Sequence, residues 1–218
     1  MMKLPKCYQV SLNIYKRRCM VVGGGKVAER KVLSLVDCGA EVILVSPEVT
    51  EGIKRMAGSG KITHIKDNYS SKYLEGVFLV IGATDNDAVN AKVSADCMDR
   101  GLLVNIVDDP PRGNFYVPAV LSRGHLQIAI STGGKSPMMS RIIKERLSKI
   151  FTEEYSSILE LVGEIREKII RETPDPEKKE KLLAGLLNAE TVDLIWDGKF
   201  EQAKERIKNA YNVGRGEL

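Results

Sequence analysis

Three groups of residues in this chain have the types and spacing to do chemistry. The first is the cluster in Met20-Val-Val-Gly-Gly-Gly-Lys-Val-Ala-Glu-Arg30, where an apolar run stops at Gly23, Gly24 and Gly25 and a helix-forming stretch starts at once. Read as G-x-G-x-x-A through Gly23, Gly25 and Ala28, it fits a dinucleotide-binding turn. One bare glycine allows the tight turn, a second lets backbone N–H groups approach a pyrophosphate, and a small third residue lets the helix pack on its strand. Lys26 and Val27 then lie along the pyrophosphate; the alternative is a plain structural turn. The second group is Asn105-Ile-Val-Asp108, at the end of an apolar run. Ligands of open α/β sheets bind outside the carboxyl ends of strands, so a carboxylate at Asp108 could accept a proton. It could instead cap the turn before Pro110, and Asp109 competes for either role. The third is a basic block. Residues 113–151 carry six Lys or Arg against the single acid Glu145, whereas residues 152–218 carry 11 basic and 15 acidic residues. Such a block fits an anionic ligand or partner, or a solvated helix face.

Histidine is scarce. His125 has a side chain whose ordinary pKa suits proton transfer, or it is a polar residue in a hairpin turn. His64, in an alternating strand, is expected to be structural. With scattered cysteines (Cys7, Cys19, Cys38, Cys97) and two histidines, no metal site is expected. The start, Met1-Met-Lys-Leu-Pro-Lys, has no apolar core of a signal peptide, and no apolar run is long enough to cross a membrane. The chain is therefore expected to be cytoplasmic with reduced thiols and no membrane partner. The basic stretch Met138–Phe151 lacks an aromatic platform, so no nucleic-acid partner is expected.

The elements that must position these residues follow from periodicity. Tyr8–Tyr15 alternates and, through Lys16-Arg17-Arg18, reads as a hairpin with Cys19–Val22. Lys26–Cys38 reads as a helix closed by Gly39, Glu41–Ser46 as a buried strand, Thr50–Gly58 as a helix and Lys61–Ile65 as a short strand. Val77–Ile81 is a further strand, followed by the polar turn through Thr84 and Asp85, where the far half of a dinucleotide passes. A helix over Val89–Arg100 and the strand Leu102–Val107 complete a doubly wound, mostly parallel Rossmann-type α/β sheet. Phe115–Leu121 and Leu126–Ile130 read as strands, and Met138–Phe151 as an amphipathic helix. The remainder is helical, broken at Thr173-Pro-Asp-Pro176 and frayed from Asn212. The expected organisation is a nucleotide-binding domain over residues 1–113, a small α+β segment over 114–151 and a helical region over 152–218.

The strings Val22-Gly-Gly-Gly-Lys-Val-Ala-Glu-Arg-Lys31, Val45-Ser-Pro47, Ala83-Thr-Asp85, Asn105-Ile-Val-Asp108, Phe115-Tyr-Val-Pro118 and Ser131-Thr-Gly-Gly-Lys-Ser-Pro137, in this order and spacing, resemble the precorrin-2 dehydrogenase family. That family includes the dehydrogenase/ferrochelatase module of sirohaem synthases. The resemblance runs from about Leu4 to Phe151, and a bare nucleotide-binding fold would not supply the Ser-x-Gly-Gly-x-Ser-Pro turn. It implies oxidation of precorrin-2 to sirohydrochlorin by NAD⁺, and in some members insertion of Fe²⁺. It also implies a homodimer joined through residues 114–151, and catalysis at Asp108. Pro47 and Glu48 match the family's adenosine-ribose region, and Asn105 falls with the cofactor-binding positions. The substrate carries eight carboxylates, so Arg123, Lys135 and Arg141, with Thr132 and Gly133 of the turn, are its candidate contacts. One branch of the family has serine, open to phosphorylation, where Thr132 stands; with Ser131 and Ser136 alongside, regulation here stays open. A departure from the usual nucleotide fold is Ser46, which stands where an acid normally holds the ribose hydroxyls. A non-catalytic NAD-sensing module is the alternative, and it leaves the Ser131–Pro137 turn and the basic block unexplained.

Overall fold

The computed structural model describes residues 7–215. The chain divides into two compact units, one reaching to Val117 and the other starting at Pro118.

The first unit is a five-stranded parallel sheet. Its strands are β1 (Arg18–Val22), β2 (Glu41–Val45), β3 (Thr63–Ile65), β4 (Leu79–Gly82) and β5 (Leu103–Ile106), in the order β3-β2-β1-β4-β5. β1 and β4 are almost wholly buried, as expected of strands covered on both faces. On one face, α1 (Lys26–Asp37) presents Ala28, Val32 and Leu35, one helical stripe, and α2 (Glu51–Gly58) presents Ile53. On the other, α3 (Asp87–Asp99) packs Val93 and Cys97 over Met20, Val80, Val104 and Ile106. The order reverses between β1 and β4, so the loops after these two strands frame the crevice in which such sheets bind ligands.

Tyr8–Tyr15 is not a strand. Both edges of β1 are already taken, by β2 and β4, so no antiparallel partner can pair there. The segment runs exposed, with Tyr8 91% accessible, and only Ile14 enters the core. The expected strand Phe115–Leu121 likewise begins only at Ala119. Its first residues are held to β5 by side chains instead. The Asn114 carboxamide accepts from Val104 N–H at 2.8 Å and donates to the Leu102 carbonyl at 2.8 Å, while Asn105 Nδ2 donates to the Phe115 carbonyl.

The second unit pairs β6 (Ala119–Arg123) with β7 (Leu126–Ile130) in an antiparallel ribbon. It continues through α4 (Pro137–Ile150), α5 (Glu154–Glu172), α6 (Pro176–Leu186), α7 (Ala189–Trp196) and α8 (Phe200–Arg215). Ile158, Ile165 and Ile169 of α5 meet Leu182, Leu186, Ala203 and Ile207 in its core. Phe151 at the end of α4 contacts Tyr155 and Trp196, so ribbon, α4 and the later helices form one unit rather than two. The expected break at Thr173–Pro176 is present; α8 continues through Asn212 to Arg215, and the rest of the expected frayed end lies outside the described residues. Among the described residues, no helix is long and apolar enough to cross a membrane.

The Asn114 contacts satisfy the open edge of β5. Asn114→Ala should lower stability by about 1–3 kcal/mol, since it strands both a donor and an acceptor; a thermal melt displaced downward by several degrees is the expected result.

Candidate functional site

The glycine turn after β1 is held by its neighbours rather than by its own hydrogen bonds alone. Gly23 has φ of 117°, and a Cβ there would sit 2.4 Å from the Ala83 carbonyl oxygen. A Cβ on Gly24 would lie 1.8 Å from the Glu48 carbonyl oxygen. Gly25 differs: a Cβ there meets nothing within 4 Å. Gly25 is also the N-cap of α1 and has no side chain to bond the first-turn N–H groups. An open space facing uncapped helix N–H donors is a place for a phosphate group, whose charge the helix dipole favours. Gly23, Gly24 and Gly25 therefore fit a dinucleotide, with exposed Lys26 and half-buried Val27 beside them.

The loop after β2 is fastened to this turn. Thr50 N–H donates to the Gly24 carbonyl, and the Thr50 hydroxyl both caps α2 and donates to Glu29. Ser46 Oγ donates to the Glu48 carbonyl at 2.7 Å, and His64 Nε2 donates to the Ser46 carbonyl at 2.9 Å. Ser46 thus closes its own loop, leaving Pro47 and Glu48 exposed at the edge where the ribose would lie. His64 is structural, as expected. In the turn after β4, Thr84 accepts from Asn86 N–H through its hydroxyl and from Asn90 Nδ2 through its carbonyl, and Asp85 is exposed. The side chain of Asn105, 8% accessible, faces its Phe115 partner inside the unit, a structural bond the sequence did not foreshadow.

Past β5 the two adjacent acids separate in role. Asp109 pairs with Arg112 at 3.1 Å, and Arg112 in turn pairs with Asp87. Asp108 is exposed, has φ of 62°, and among the described residues its carboxylate makes no hydrogen bond or ion pair. A left-handed, unpaired acid beyond a strand end is free to act on a ligand. Lys31, half-buried on α1, is the charged residue that sequence reasoning passed over; Asp108 acts on it electrostatically. The available signal was its spacing, one turn past Ala28 on the helix that carries the glycines.

In the second unit the basic residues divide. Arg123, only 19% accessible in its side chain, donates from Nε to the Phe151 carbonyl and from Nη2 to the Ser148 carbonyl, and pairs with Glu153. Its guanidinium closes the C-terminus of α4, so it is spoken for within the fold. Lys135 is exposed, and among the described residues Arg141, 80% accessible, pairs only with Glu145 on the same helix. Gly133 and Gly134 are both left-handed, and the Thr132 hydroxyl donates to the Ser136 carbonyl while accepting from Ser136 N–H. His125 is exposed in the two-residue turn between β6 and β7. Buried Cys19 and Cys97 have thiols pushed up to about 11 and about 12 by burial, which makes them inert. Among the described residues, no three His, Cys, Asp or Glu side chains gather to hold a metal ion.

Residues 10–119 match a family described as putative NAD(P)-binding, and residues 123–149 one described as sirohaem biosynthesis protein central. A solved structure of SirC, a precorrin-2 dehydrogenase, superposes with a TM-score of 0.76 at 31% identity, covering 92% of this chain and 100% of that one. The chain belongs to the precorrin-2 dehydrogenase family. Its relatives include the sirohaem synthase of Photobacterium profundum, 30% identical over 197 residues, which are 90% of this chain and 42% of that protein. Sirohaem synthase 2 of Aeromonas salmonicida is 40% identical over 152 residues, 70% of this chain and 31% of that one. The chain thus spans less than half the length of these curated relatives.

The two neighbouring glycines should respond differently to the same change. Gly24→Ala forces a backbone collision and should cost about 1–3 kcal/mol of stability. Gly25→Ala should melt within about 1 kcal/mol of wild type yet lose NAD⁺ binding, read by calorimetric titration. Undiminished binding in Gly25→Ala would remove the pyrophosphate from this turn.

Proposed function

We propose that this chain oxidises precorrin-2 to sirohydrochlorin with NAD⁺ as the acceptor. The observation that carries the reading is Asp108: a carboxylate unpaired among the described residues, in a left-handed conformation past β5, the strand that pairs with β4, in a chain of this family. Oxidation of the macrocycle removes a hydride from a saturated carbon and a proton from the same system. NAD⁺, when bound, takes the hydride. The chain's own residues do the rest. The N–H groups of Gly25, Lys26 and Val27 would hold the pyrophosphate, and the loop at Pro47 and Glu48 would border the adenosine ribose. Thr84 and Asp85 line the path of the far half. Asp108 receives the proton on a carboxylate oxygen, its backbone already turned so that the side chain stands clear of the sheet. Asp109 is occupied by Arg112 and leaves this role to its neighbour.

Lys135 and Arg141, with the N–H groups around Thr132 and Gly133, supply positive charge for substrate carboxylates. Arg123 contributes indirectly by closing α4. His125 serves as a turn residue. Supporting a homodimer is α4 itself, which leaves Met138 73% and Met139 49% accessible beside its basic side. A cytoplasmic location agrees with the buried Cys19 and Cys97, which form no disulfide. Whether Fe²⁺ is then inserted into the product is a separate activity, measured in the same experiment.

The test is anaerobic incubation with precorrin-2 and NAD⁺, following NADH and the sirohydrochlorin spectrum, and then adding Fe²⁺. Asp108→Asn keeps the backbone conformation available to Asn and should melt like wild type while losing turnover about 10²–10⁴-fold. A folded, NAD⁺-binding wild type that forms no NADH would exclude the enzyme and favour an NAD-sensing module.

A further inference from the structure

Lys31 occupies an unusual position for a lysine. It lies on α1 three residues past Ala28 and four before Leu35, both buried, on the flank of the helix's apolar stripe. It is half-buried, and among the described residues its ammonium makes no hydrogen bond and no ion pair. The fixed charges that act on it are those of Arg30 on the same helix and Asp108 beyond β5. Burial and Arg30 both hold its ammonium below the usual lysine range, while Asp108 draws it back up.

The surroundings give that unpaired charge a direction. The face of the sheet covered by α1 and α2 takes no residue of α3 into its core. On one flank of α1, Glu29 accepts a hydrogen bond from Thr50 at the start of α2. Lys31, two residues on, lies on the other flank, turned from α2 towards β4 and β5. Val107, the residue before Asp108, packs against the same core as Ala28 and Val32 of α1, so Lys31 and Asp108 border the same face of the sheet. Among the described residues the two form no ion pair. The arrangement leaves an uncommitted cation at Lys31 and an uncommitted proton acceptor at Asp108. The pyrophosphate is a poor candidate for the anion at this cation, because Lys31 stands about 7.5 Å along the helix axis from Lys26, beyond the uncapped first turn.

We propose that Lys31 binds one carboxylate of the tetrapyrrole substrate beside Asp108, and so belongs to the substrate site rather than to the cofactor site or the core. The proposal rests on the precorrin-2 dehydrogenase reading. It gives the first unit a cation of its own for a polycarboxylated substrate. The competing account is a lysine whose stem covers apolar surface while its head reaches water.

Lys31→Met keeps the stem and removes the charge, and Lys31→Arg restores a charge. The probe is uroporphyrin, an octacarboxylated macrocycle, titrated by fluorescence quenching, alongside precorrin-2 and NAD⁺ kinetics and melting curves for all three proteins. Lys31→Met should weaken uroporphyrin binding and lower kcat/KM for precorrin-2 about tenfold, the loss of one charge-assisted hydrogen bond. KM for NAD⁺ and the melting temperature should stay unchanged, and Lys31→Arg should recover most of the loss. An active wild type with Lys31→Met equal to it in uroporphyrin binding overturns the proposal alone, as does a loss confined to NAD⁺. A wild type that neither binds uroporphyrin nor reduces NAD⁺ overturns the functional reading with it.

Discussion

Everything in the first unit depends on how closely the β1 turn is pressed between the loops that follow β2 and β4. Gly23 lies against the Ala83 carbonyl and Gly24 against the Glu48 carbonyl, with no space for a single methyl group at either. These two contacts set the width of the crevice at the switch point. They also fix the direction of α1, because Gly25 begins the helix directly behind them. The third glycine is exposed, and among the described residues no side chain caps the first-turn N–H groups of α1. Rigidity on two sides and vacancy on the third are a single packing solution.

A similar division governs charge. Several cations and acids that serve the fold are satisfied within it: Arg112 between Asp87 and Asp109, Arg123 on the carbonyls ending α4, Glu29 on Thr50. Asp108 and Lys31, by contrast, stay without hydrogen-bonding or ion-pair partners among the described residues. A charged ligand is best met by such uncommitted groups, since a charge already neutralised at home offers little to it.

Much of this was legible from the chain. The alternation of apolar runs with helical stripes, punctuated by Gly39, Pro47 and Gly101, specifies a parallel doubly wound sheet, because buried parallel strands require unbroken apolar sequence. The glycine turn between β1 and α1 could be read from type and position. The strand at Tyr8–Tyr15 was misread because alternation reports only that a segment is suited to a sheet; it says nothing about whether an edge is vacant. The bonds Arg123 makes within the fold were hidden for a related reason. A guanidinium suits a carboxylate and a helix C-terminus equally well, and only the fold brings Ser148 and Phe151 within its reach. Asn105 and Lys31 depend on which face of a strand or helix meets a distant segment, information that spacing along the chain does not hold.

The left-handed backbone at Asp108 has an evolutionary corollary. Asparagine, aspartate and histidine enter that conformation more often than other residues with a side chain, the first two because their short polar group can bond locally. Asparagine has no group that takes up a proton near neutral pH, and glutamate, one methylene longer than aspartate, has no such conformational ease. If the position accepts the proton as proposed, conformation and chemistry together narrow it to two residue types, whatever freedom the surrounding loop enjoys.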